Sequence, residues 1–174
     1  MSYTELSKMI TKNLNNNEKK GNGIYFTSKE LIQKMIKMLG RRRFKRILEP
    51  CYGSGEFIRV LNEKYKKSRI EGIEKNETMA ELCEKDDEIH KENVDLVRGD
   101  YLKTEFEGEY DLVIGNPPFY VMKRGDVEKE YLKYIEGRPN IFVLFILKSL
   151  KLLNVGYNGI LLYSLSLSKI LSGR

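Results

Sequence analysis

Apolar residues recur along this chain in two alternating rhythms, and their order predicts an α/β fold. Leu6, Met9, Ile10 and Leu14 keep helical spacing until Asn15-Asn16-Asn17 breaks it, so residues 1–20 read as a polar, amphipathic leader. The remainder, 21–174, reads as one domain. Thr27-Ser28-Lys29-Glu30 has the form of a helix start, a hydroxyl cap followed by an acid. Leu31, Ile32, Met35, Ile36 and Leu39 then make an apolar stripe that ends at Gly40. Short strands follow at Arg46–Leu48, Ile70–Glu74, Val94–Val97, Tyr110–Ile114 and Ile160–Tyr163. Between them lie helices carrying Phe57, Ile58, Val60, Leu61 and Tyr65, then Glu77 to about Lys85, then Ile141 to about Leu153. The stretch from Tyr120 to Asn140 reads as irregular and charged, and a further helix is expected near Ser168. Strands alternating with helices imply a doubly wound, mostly parallel sheet covered on both faces.

Composition narrows the picture without changing it. The chain has 174 residues, 41% of them hydrophobic and 32% charged, which excludes a disordered polyampholyte. A net charge of +6 and an isoelectric point near 9.1 permit a polyanionic partner but do not require one. Cys51, Cys83 and the single His90 fit neither a zinc site nor a disulfide framework, so no metal and a reduced, cytoplasmic setting are expected. The N-terminus lacks an apolar h-region, and the run Ile141–Leu147 is too short to cross a bilayer. A soluble protein without a membrane partner is the expectation.

Chemistry collects at the strand ends, where open α/β sheets bind ligands. Glu49-Pro50-Cys51-Tyr52-Gly53-Ser54-Gly55 joins the first strand to a helix that runs through Phe57. Its glycines allow a tight turn and close approach of a ligand, and the free N–H groups of the helix start suit a carboxylate. Glu74 ends the second strand, where an acid can accept both hydroxyls of a ribose. Asp100 and Tyr101 follow the third, where a carboxylate can accept from an adenine amino group beside a ring that covers the base.

The fourth strand runs into Asn116-Pro117-Pro118-Phe119. Each proline removes an N–H and restricts its predecessor, which leaves a rigid loop with outward carbonyls. A conjugated amino nitrogen is a poor nucleophile because its lone pair is delocalised. If the Asn116 side-chain oxygen and the Pro117 carbonyl accept its two hydrogens, that lone pair becomes available. Phe119 can then stack on the ring that carries the amine.

With these motifs the chain resembles the adenine-specific, amino-methylating DNA methyltransferases of restriction–modification systems. The resemblance runs over about residues 25–165. Tyr25, Phe26 and Thr27 look like the family's N-terminal cofactor motif, and Glu49, Pro50, Gly53, Gly55 and Phe57 like its glycine loop. Glu74 matches the ribose acid, Asp100 with Tyr101 the adenine site, and Asn116 to Phe119 the catalytic motif. The resemblance implies a Rossmann-like class I methyltransferase fold, S-adenosylmethionine as cofactor, and double-stranded DNA with a flipped adenine as substrate. Lys123, Arg124, Lys129 and Arg138 then become candidates for phosphate contact. An RNA adenine or a protein glutamine amide offers the same planar amine, and a non-catalytic cofactor-binding subunit stays open as a further reading.

Two departures stand out. The family has Thr-Pro where this chain has Thr27-Ser28, and a proline-containing loop where it has Ser164 to Ser168. The family's last strands and target-recognition region have no counterpart before Arg174, which makes a second polypeptide the alternative source of recognition.

Overall fold

The computed structural model describes residues 3–13, 26–154 and 159–163. Helix α1 (Glu5–Asn13) precedes α2 (Lys29–Met38), and the alternating part then begins. It runs β1 (Arg46–Glu49), α3 (Glu56–Lys64), β2 (Arg69–Glu74), α4 (Glu77–Glu84), β3 (Val94–Arg98) and β4 (Leu112–Gly115). A 3₁₀ turn (Arg124–Asp126), the short α5 (Lys129–Leu132), α6 (Ile141–Leu152) and β5 (Ile160–Tyr163) complete it. Tyr25 and the helix expected near Ser168 lie outside the described residues.

The five strands form one parallel sheet in the order β3-β2-β1-β4-β5. Alternation along each strand feeds two cores. Ile47, Ile70, Leu112 and Ile114 face α2, α3 and α4, while Leu48, Ile73 and Val113 face Ile141 and Phe145 of α6. All seven strand residues are fully buried, as expected for a sheet covered on both sides. The chain winds outward from β1 to β3 and then returns to β4 on the other flank of β1. Ile47 pairs with Ile70 on one side and Leu112 on the other, so the reversal falls between β1 and β4. At this switch point the glycine turn and the Asn116 loop leave the sheet side by side.

Two expectations are corrected. The stretch read as irregular holds the 3₁₀ turn and α5, because Val127, Tyr131 and Ile135 bury against Leu144 and give it a small core of its own. Its base is pinned by a Val121–Asn140 bridge and the Met122 N–H to Pro139 carbonyl bond. Ser28 is the N-cap of α2, yet its hydroxyl makes no capping hydrogen bond. In α1, Ser7 and Ile10 are buried, and Leu6 packs on the main core.

Candidate active site

The site is built around the turn after β1. Gly53 and Gly55 have φ of +55° and +76°, a left-handed backbone that side chains strain. A Cβ on Gly53 would stand 3.4 Å from the Phe26 ring, and one on Gly55 would collide with Ile89 at 2.3 Å. The turn is held from two sides. Glu74 accepts the Gly53 N–H at 2.8 Å through Oε2 and the Asn76 N–H at 2.7 Å through Oε1. The Arg59 guanidinium, ion-paired with Asp86, donates to the Ser54 carbonyl at 2.9 Å. The turn then enters α3, whose first N–H groups have no intrahelical acceptor.

A cavity of about 350 Å³ opens over this turn, within the range of small-molecule sites. Phe26, Thr27, Glu49, Pro50, Gly53 and Phe57 line one part of it, and Glu74, Asp100 and Tyr101 another. Asn116 and Pro118, from the loop after β4, line it as well. Eleven residues singled out from sequence thus share one space. Gly55, Pro117 and Phe119 are not on its wall, nor are Lys123, Arg124 and Arg138. Arg124 directs a guanidinium nitrogen to the Gly137 carbonyl at 3.1 Å, closing its own loop.

Electrostatics differ sharply among the acids. Glu49 is 1% exposed, and its Oε2 has no hydrogen-bond partner. Burial first, then the charges of Glu74 and Glu56, push its carboxyl well above the usual range. Glu74 is also raised by burial, against the pull of its backbone donors. Asp100 is more open, bonded to the Leu102 N–H at 3.1 Å and to Lys75 at 2.9 Å. The Cys51 thiol is pushed up by burial and by Glu49 and Glu74, and the Asn116 backbone N–H faces its sulfur. Tyr101 reaches the wall from the core, packed on Phe106 and Phe145, its hydroxyl 2.8 Å from that of Ser149.

Sequence reading missed several walls. Ile141 and Phe145 of α6, Met79 of α4, and Lys75 and Tyr120 in loops all face the cavity. Only their apolar or charged type was visible; which cavity they face follows from packing. Among the described residues, no cluster of three His, Cys, Asp or Glu is suited to a metal ion, and no helix is long and apolar enough to cross a membrane.

A parallel β3-β2-β1-β4-β5 sheet with a glycine turn at its switch point defines the class I methyltransferase fold. It superimposes on a protein described as a class I S-adenosylmethionine-dependent methyltransferase from Listeria monocytogenes, with TM-score 0.63 and 17% identity. That match covers 86% of this chain and 47% of the other. More specifically, residues 4–172 match the model of the Eco57I restriction-modification methylases, and the chain belongs to that family. It is 32% identical over 151 residues to the modification methylase CviBIII of Paramecium bursaria Chlorella virus NC1A, covering 84% of this chain and 38% of the relative. Against the type II methyltransferase M.AccI of Acinetobacter calcoaceticus, identity is 34% over 137 residues, covering 72% and 25%. The chain therefore spans two-fifths or less of the length of these curated relatives.

Proposed function

We propose that this chain is the cofactor-binding and catalytic part of a methyltransferase acting on the N6 amino group of adenine in DNA. The observation that carries the reading is one shared cavity, lined by Asn116 and Pro118 together with Glu49, the glycine turn, Glu74 and Asp100. Membership in a restriction-modification methylase family favours DNA over RNA or a protein amide.

The residues present fit S-adenosylmethionine. An orphaned, buried carboxylate oxygen on Glu49 suits its ammonium, and the α3 start suits its carboxylate. Glu74 keeps acceptor capacity for the ribose hydroxyls beyond its backbone donors. Asp100 is left for the adenine amine, in a cavity that Met79, Ile141 and Phe145 also line. Bound there, the cofactor supplies an electrophilic sulfonium methyl group, which an amine can take without a metal.

The chain's own residues then act on the target amine. The Asn116 side-chain oxygen and the Pro117 carbonyl accept its two hydrogens, which frees the nitrogen lone pair. Phe119, 6.2 Å from the Phe142 ring, offers a flat face to the extruded base. Lys123 and Arg138 are exposed on the following loop and serve the strand's phosphates. Catalysis is orientation and electrostatics; no strong base is needed, because the methylated nitrogen sheds its proton readily.

Labelled methyl transfer to duplex DNA, RNA and a glutamine-bearing protein, with wild type and Asn116→Ala, tests the proposal. Asn116→Ala is expected to lose about two to three orders of magnitude in transfer to DNA while S-adenosylhomocysteine still binds. Normal turnover in that variant refutes the role of Asn116, and transfer confined to RNA or protein refutes the substrate. Transfer that appears only when a second polypeptide is added makes this chain the catalytic part of a split enzyme.

A further inference from the structure

Resting on the cofactor reading above, we infer that helix α1 raises cofactor affinity by drawing a competing negative charge away from the cofactor's carboxylate. Glu56 occupies the first turn of α3, the helix start that this carboxylate needs. A helix N-terminus attracts either anion, and two anions there oppose each other. Glu56 lines the cavity, so the conflict lies inside the site.

The conflict is relieved from outside it. Glu56 is only 4% exposed, and its Oε1 is claimed by the N-terminal segment. It accepts the Thr4 N–H at 2.9 Å, the Thr4 hydroxyl at 2.8 Å, and the Ser7 hydroxyl. Thr4 in turn caps α1 by accepting the Ser7 N–H at 3.2 Å, so the donors are fixed by the helix itself. Ser7, 1% exposed, also meets the hydroxyl of Ser54 in the glycine turn at 2.6 Å. Ile10 and Leu6 bury beside this contact.

A second observation fixes the sign of the ligand's two ends. The unpartnered, buried Oε2 of Glu49 lines the same cavity and calls for a cation. A zwitterion held by Glu49 at its positive end and by α3 at its negative end therefore meets Glu56 as a mismatched charge beside its carboxylate. Thr4 and Ser7 hold that charge on their own donors.

Calorimetry with two ligands separates this from simple bracing. S-adenosylhomocysteine carries the zwitterionic end, whereas methylthioadenosine has the same nucleoside without it. The Thr4→Ala/Ser7→Ala variant is expected to bind S-adenosylhomocysteine about tenfold more weakly, with methylthioadenosine nearly unaffected. Glu56→Gln in that background is expected to restore the lost affinity, and Ser7→Thr, which keeps the hydroxyl, to lose little. Equal losses for both ligands, no rescue by Glu56→Gln, or an unchanged affinity in the double variant overturns the inference. If the wild-type chain binds neither ligand, the cofactor reading itself fails first.

Discussion

Glu74 and Gly53 are joined by a 2.8 Å hydrogen bond from the glycine N–H to the carboxylate, across 21 positions of sequence. The end of β2 is thereby fastened to the turn after β1. The same carboxylate holds the Asn76 N–H, at the cap of α4. One side chain thus sets the relative position of two strand exits and one helix start.

Removing it strands its backbone donors and loosens the turn. Glu74→Ala is expected to cost about 1–3 kcal/mol of stability and to weaken S-adenosylhomocysteine binding more than any loss of stability explains. Glu74→Gln keeps one acceptor oxygen and is expected to fall between wild type and Glu74→Ala. Thermal melting and calorimetry on the three proteins decide it. A Glu74→Ala variant that melts and binds like wild type removes Glu74 from the site.

Gly55 is expected to tolerate no side chain. At φ +76° any Cβ is strained, and Ile89 Cδ1 stands 2.3 Å from where it would go. Gly55→Ala should destabilise the protein by about 1–3 kcal/mol. Pairing it with Ile89→Ala removes the collision but not the backbone strain. The double variant should therefore remain less stable than Ile89→Ala alone, as measured by chemical denaturation. Equal stability would mean that the turn does not need a left-handed residue.

Much of this arrangement is legible in the sequence because it is local. Strand limits come out within a residue or two, since a run such as Leu112-Val113-Ile114 has few alternatives to a buried strand. The glycine turn and the Asn116 loop announce themselves through residues that ordinary turns do not require. What escapes is whatever tertiary packing decides. Phe145 reads as core, and only the packing of α6 shows that it is also a cavity wall, while Arg124 carries the same charge whether it meets a phosphate or the Gly137 carbonyl. The docking of α1 is of this kind too, because a Ser at position 7 gives no hint of Glu56. By contrast, Val127, Tyr131 and Ile135 do recur at helical spacing, a signal hidden by the charges around them.

Phe119 rests against Phe142, whose ring in turn lies 6.4 Å from that of Tyr163 at the end of β5. The proposed stacking role of Phe119 predicts a substrate effect without a cofactor effect. Phe119→Ala is expected to lose about 1–3 kcal/mol of binding to DNA carrying an unpaired target adenine. Affinity for S-adenosylhomocysteine should stay within about twofold. Fluorescence anisotropy with labelled duplexes measures the first and calorimetry the second. A variant that binds the duplex as tightly as wild type contradicts the stacking role.

Glu49 makes the site sensitive to pH, and the sign follows from its burial. Its carboxyl is raised in the folded protein, first by desolvation and then by Glu74 and Glu56. Folding therefore favours the protonated form. The stability this contributes is complete below the ordinary carboxylate range and is lost as pH rises through the raised value. Glu49→Gln, neutral throughout, should match wild type in acid and melt higher than it at neutral pH. Cofactor binding runs the other way, since an ammonium needs the ionised carboxylate. Binding to wild type should release a proton and tighten as pH rises above the ordinary carboxylate range; Glu49→Gln should bind weakly and with a flat profile. Calorimetry in buffers of different ionisation enthalpy counts the proton. A wild-type protein that binds with no proton released, and with the same pH profile as Glu49→Gln, would remove Glu49 from the ammonium site.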